Sequence, residues 1–134
     1  MKLDTELLDR ITAAAKASPR LRMNYDLRDT VDDRSQKMLN ALEPGTQLPI
    51  HRHRTCSEVV VLLRGSAVQY IYDDCGQVID EIRMAAGSEC AGMVVEIGVW
   101  HRLESLQSGT VIMECKEGAY QPITAEDIIE PTIN

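Results

Sequence analysis

The chain has 134 residues, 44% of them apolar and 26% charged, which suits one folded domain with a core of its own and excludes a disordered chain. Its net charge of −7 argues against a nucleic-acid surface, which needs a basic stripe. No apolar run is long enough to cross a bilayer.

The first residues, MKLDTELLDR, carry no signal-peptide pattern, so the expected location is cytoplasmic. Cys56, Cys75, Cys90 and Cys115 are widely spaced and form no C-x-x-C pair. In a reducing compartment they read as small buried hydrophobes.

Asp4 suits the N-cap of a helix whose apolar stripe is Leu7, Leu8, Ile11 and Ala14 or Ala15, and Ser18-Pro19 stops it. The arm RLRMNYDLRDTVDDRSQ has little periodicity and reads as extended chain or loop. From about Lys37 short strands follow: KMLNAL, QLPIHRH, EVVVLLRG, AVQYIYD, VIDEIRM, GMVVEI, WHRLESL and TVIMECKEG, separated by close, regular turns. Seven or eight strands in this pattern predict an antiparallel sandwich or barrel. TAEDII then suits one short capped helix. The organisation expected is one mainly β domain. Residues 1–35 form a helix and arm on the barrel, 36–120 the barrel, and 121–134 a C-terminal tail.

The chemistry concentrates where the chain is most apolar. Residues two apart on a strand share a face, so His51 and His53 project together. Glu58 shares its parity with Val60 and Leu62, and His101 shares its own with Val99 and Leu103. If those faces point inward, three imidazoles and a carboxylate are buried together, which is costly unless something satisfies them. A divalent transition metal does so: Zn, Fe, Mn, Ni or Co. H-x-H alone has a blander reading as exposed hairpin histidines. The acid five residues on, the bracketing glycines and the third histidine in a G-x-x-H context favour the metal.

Several other side chains have two readings. Arg20, Arg22, Arg28 and Arg34 either grip an anionic ligand at the barrel mouth or pair with the neighbouring aspartates. Asn40 and Met38 share a parity that lets one line a pocket, with plain sheet packing as the alternative. Tyr70 or Tyr72 offers a hydroxyl to the cavity or to an interface, and Trp100 reads as packing. Cys56, in the turn between His53 and Glu58, is a weak candidate for the metal. GSECAG looks like a phosphate loop, but Met93 stands where lysine is required.

Gly45, His51, His53, Glu58 and Gly65 resemble the first cupin motif: a glycine, H-x-H, an acid and a closing glycine. The second motif is met in part by EIGVWHRLES. Gly98 and His101 agree, while Glu96 replaces a proline and Ser105 an asparagine. More narrowly, SPRLRMNYDL, MLNALEPGT, EIGVWHRLESL and ECKEGAYQP are similar to the WbuC family of cupin-fold metalloproteins. Those are small bacterial proteins often linked to surface-polysaccharide (O-antigen) gene clusters.

The resemblance implies a cupin-type β-barrel or jelly roll holding one divalent metal through His51, His53 and His101. Glu58 is then a fourth ligand, or instead orients a histidine and serves as the catalytic acid or base. The function it implies is small-molecule metalloenzyme chemistry, of isomerase, epimerase or oxygenase type. The expected substrate is a carbohydrate or sugar-nucleotide intermediate, an anionic sugar derivative among the candidates. The alternative is a non-catalytic cupin that binds or senses a ligand through the metal. VVVLL is apolar on both faces, so its outer side needs cover from the helix, the second sheet or another subunit. A homodimer is the expectation.

Overall fold

The computed structural model describes residues 1–130. The Asp4 carboxylate accepts a hydrogen bond from the Leu7 amide at 3.1 Å and caps helix α1, Thr5–Ala17. Ser18, in extended backbone before Pro19, ends the helix. Its stripe of Leu7, Leu8, Ile11 and Ala15 packs on Leu39, Ala41 and Val111. Full burial of each large apolar side chain contributes about 1.5–3 kcal/mol.

Among the described residues ten strands follow: β1 (Arg22–Asp26), β2 (Ser35–Leu42), β3 (Ile50–His51), β4 (Glu58–Arg64), β5 (Ser66–Tyr72), β6 (Val78–Ala85), β7 (Gly92–Val95), β8 (Trp100–Ser105), β9 (Thr110–Glu117) and β10 (Ile128–Ile129). They form two antiparallel five-stranded sheets, β1-β2-β9-β4-β7 and β10-β3-β8-β5-β6, stacked as a jelly-roll-like sandwich. Between the sheets lie Leu42, Val60, Leu62, Ala67, Met84, Leu103 and Ile112. Helix α1 covers the outer face of the first sheet over β1, β2 and β9, adding a third layer there.

Three expectations need correction. The arm holds a strand, β1, paired along its length with β2. It escapes the sequence pattern because one face carries Tyr25 against the helix and the other carries Arg22 and Asn24 at a polar cavity. The stretch read as one strand, QLPIHRH, pairs only over Ile50 and His51, since Pro49 has no amide to donate. TAEDII is a 3-10 turn, Ala125–Asp127, without a side-chain cap, and then β10. Residues 131–134 of the expected tail lie outside those described.

A buried carboxylate and a glycine fix the barrel's loops. Glu43 accepts hydrogen bonds from the Ser108 hydroxyl at 2.6 Å and the Gly109 amide at 2.7 Å. At Gly65, which closes the first motif, φ is +80° and a Cβ would overlap Thr110, so glycine is required twice over.

The apolar run divides as its parity demands. Val60 and Leu62 face the interior, and Leu63 packs under the helix cluster. Val59 stays 39% exposed beside its register partner Val94 at 55%. That uncovered strip is the surface a homodimer would need. No cysteine is bridged, and among the described residues no helix is long and apolar enough to cross a membrane.

Candidate metal centre

β3 pairs with β8 so that His51 stands directly opposite His101, their ring centroids 4.2 Å apart. His53 follows just beyond β3, where the Gly98 amide donates to its carbonyl at 2.8 Å. Its ring lies 5.1 Å from that of His51 and 5.6 Å from that of His101. Glu58 enters from the facing sheet at the start of β4, with 4% exposure. The four residues singled out in the sequence therefore meet, and one donor atom from each lies within 4.8 Å of the others.

The backbone also sets which nitrogens face inward. His51 Nδ1 lies 3.1 Å from the Pro49 carbonyl, and His101 Nδ1 lies 2.9 Å from that of Val99. A carbonyl only accepts, so each Nδ1 carries the proton and each Nε2 is left with a lone pair. Glu58 Oε2 lies 3.0 Å from His53 Nε2, 3.6 Å from His101 Nε2 and 3.8 Å from Lys116 Nζ. Yet none of these contacts is a hydrogen bond: His53 Nε2, His101 Nε2 and Glu58 Oε2 are all buried without a hydrogen-bond partner. Three orphaned atoms aimed at one point are expensive in an apolar interior.

A divalent transition metal suits this donor set. Imidazole nitrogens and a carboxylate oxygen bind such ions at about 2.0–2.2 Å, so donors on opposite sides of one ion lie about 4.2 Å apart. The cluster is within a small inward movement of that.

Burial presses the His51 imidazole down to about 4, and its neighbour His101 adds to the effect. That keeps it in the neutral form that ligates. Burial alone would raise the Glu58 carboxyl, but His101, His53 and Lys116 outweigh it and hold the group well below the usual carboxylate range. Glu114 goes the other way: burial and the nearby Glu58 charge push it up to about 7.

Beside the centre opens a cavity of about 250 Å³ between the sheets, at the small end for small-molecule sites. Met38 and Asn40 both line it, with Arg20 and Arg22. Arg28 instead pairs with Asp26 at 2.7 Å, and neither it nor Arg34 reaches the cavity. Tyr70 and Tyr72 do not line it either. Tyr70 donates its hydroxyl to Glu104, and Tyr72 is buried with Trp100 and Ile50 on the outer side of the sheet. Cys56 is not part of the donor cluster. Gln69, Glu114 and Lys116 line the cavity but did not emerge from the sequence. Register was the available signal: Glu58 opposes Lys116 and Val60 opposes Glu114, so both acids and the lysine share one inward face.

Residues 3–84 match the family described as Domain of unknown function (DUF6016). The chain belongs to the DUF6016 family. No curated protein matches it. Solved structures do, all at low identity. The capsular polysaccharide assembling protein CapF from Staphylococcus aureus has 19% identity and a TM-score of 0.64 over 87% of this chain and 33% of its own. An oxalate oxidase in complex with the substrate analogue glycolate has 14% identity and a TM-score of 0.62, over 81% of this chain and 56% of its own. KdgF from Halomonas sp. has 13% identity and a TM-score of 0.58, over 75% and 82%. The chain thus spans about a third of CapF and just over half of the oxalate oxidase. These are cupin-fold proteins, and this DUF6016 member has the cupin fold.

Proposed function

We propose that this DUF6016 member is a small-molecule metalloenzyme, with one divalent transition metal held by His51, His53, His101 and Glu58. The observation that carries the reading is the set of three orphaned, buried donor atoms converging at the edge of a polar cavity. A bound metal supplies Lewis acidity and an open position for a ligand oxygen. Around it the chain's own groups bind and orient. Asn40 Nδ2 donates to Glu114 Oε2 at 3.0 Å and fixes that carboxyl on the cavity wall. The Glu114 carboxyl is the group placed to hold or move a proton beside a ligand. Leu42, Leu48, Val60 and Leu103 exclude water from the inner wall.

The substrate class we favour is a carbohydrate derivative, in isomerisation, epimerisation or oxygenation. Two things support it: the WbuC-like stretches of the sequence, and the polysaccharide role that CapF, a protein of the same fold, has by its name. Both are associations of family and fold. Incubating the metal-loaded protein with sugar phosphates and sugar nucleotides, in air and under argon, with mass-spectrometric detection of product, tests it. Turnover of at least one compound is expected, lost in His101→Ala while the circular-dichroism spectrum stays unchanged. Ligand binding without any conversion would contradict the enzyme and leave a ligand-binding cupin.

A further inference from the structure

Among the described residues, the buried side-chain atoms without a hydrogen-bond partner belong either to the metal centre or to one other residue, Gln69. Gln69 is 1% exposed, and neither its Oε1 nor its Nε2 has a partner. It sits in the middle of β5, opposite Leu103 of β8 and one inward position along from the pair Ile71–His101. Gln69 lines the cavity with Leu42, Leu48, Val60 and Leu103. An amide in such a place makes no hydrogen bond to the protein, and a fold gains nothing from that. The same position filled by leucine would complete an apolar wall.

We propose that Gln69 is the residue that reads the cavity's organic ligand, and that this ligand is a small hydroxylated anion. The chemistry of each end argues the class. A carboxamide offers donors and an acceptor side by side, and a hydroxyl group, itself both donor and acceptor, satisfies both. A carboxylate or phosphate would satisfy only the donors and leave Oε1 facing negative charge. The end of the ligand at Gln69 therefore carries hydroxyls, and the surrounding leucines and valine suit the C–H faces of a sugar or polyol. The charged end belongs elsewhere. Arg20 and Arg22 stand on the same cavity. Among the described residues, the Arg22 guanidinium makes one long hydrogen bond, Nη1 to the Gln47 carbonyl at 3.4 Å. Their guanidiniums suit a carboxylate or a phosphate equally. The cavity takes a ligand of about monosaccharide size, so the sugar part of a larger donor is what it reads.

This inference rests on the cavity being a ligand site beside the metal, and its test separates the two. Gln69→Leu and Gln69→Met are compared with the purified wild type for melting temperature, metal content and binding. The probes are D-glucose, D-galactose, their uronates and their 6-phosphates, followed by calorimetry. Without added ligand both variants should melt about 3–10 °C higher, because an unpaired buried amide has been removed. Their metal content should match wild type. The wild type should bind a uronate or a 6-phosphate well above the neutral hexoses, carboxylate and phosphate arms telling the two anions apart. That binding should weaken roughly tenfold or more in both variants. A lower melting temperature in both would make Gln69 structural and overturn the role. Loss of metal would place it at the ion and overturn it equally. Neutral sugars bound as well as charged ones, or no probe bound, would overturn the ligand class.

Discussion

Glu43 shows how much a single buried carboxylate does in this fold. Its two oxygens take the Ser108 hydroxyl and the Gly109 amide, anchoring the turn before β9 to the end of β2. Removing it leaves the Gly109 amide and the Ser108 hydroxyl without their charged acceptor. Glu43→Ala should therefore lose about 2–3 kcal/mol in urea denaturation, and a loss near zero would contradict this account of the turn. Its role was not legible in the sequence, because an acid before Pro44-Gly45 looks like any polar turn residue. The four residues of the metal centre were legible for a specific reason. His51, His53, Glu58 and His101 are polar at positions whose parity partners, Val60, Leu62 and Leu103, are apolar and buried. Gln69 was not legible: AVQYIYD is apolar or aromatic on both parities, so pattern alone could not say whether Gln69 or Tyr70 faced inward. Glu114 and Lys116 were hidden similarly, since β9 is apolar on both faces where it begins.

At the scale of elements, the C-terminal segment does more than trail from the barrel. β10 pairs Ile128 with His51 and Ile129 with Ile50, gripping β3 from the side opposite β8. Asp127 reinforces the grip by accepting from Arg52 at 2.9 Å and Arg54 at 2.6 Å, and Arg52 lies over the Trp100 ring at 4.3 Å. Arg54 and then Arg52 hold the Asp127 carboxyl below its usual value. A group lowered on folding favours the fold above its unfolded value, about 3.9, and that support fades as pH falls through the lowered value. Docking of this segment should thus weaken below about pH 4. Asp127→Asn should lose that acid dependence and show faster amide exchange at Ile50 and His51 already at neutral pH. Identical exchange and identical acid limbs in the two proteins would contradict the anchoring role. Strands bounded by turn residues could be read from sequence, whereas β10 is two residues long and β1 is polar where it meets the cavity.

For the whole molecule, the order of layers explains the site's position. Helix α1 covers one sheet over β1, β2 and β9 and buries its own apolar stripe there, while the space between the sheets holds polar groups as well as the core. The metal-binding cluster and the cavity share that space, with Glu58 reaching across from one sheet to the histidines of the other. The β pattern and turn spacing made the architecture legible. The cavity's polar wall was not, because it is assembled from β1, β2, β5 and β9, which are distant in sequence. The claim beneath everything is that these four side chains hold one ion. Elemental analysis of protein purified without chelator tests it most directly. The account predicts about one divalent transition metal per chain, and almost none in a His51→Ala/His53→Ala variant of unchanged circular-dichroism spectrum. A wild type with a ratio near zero, no different from that variant, would contradict it.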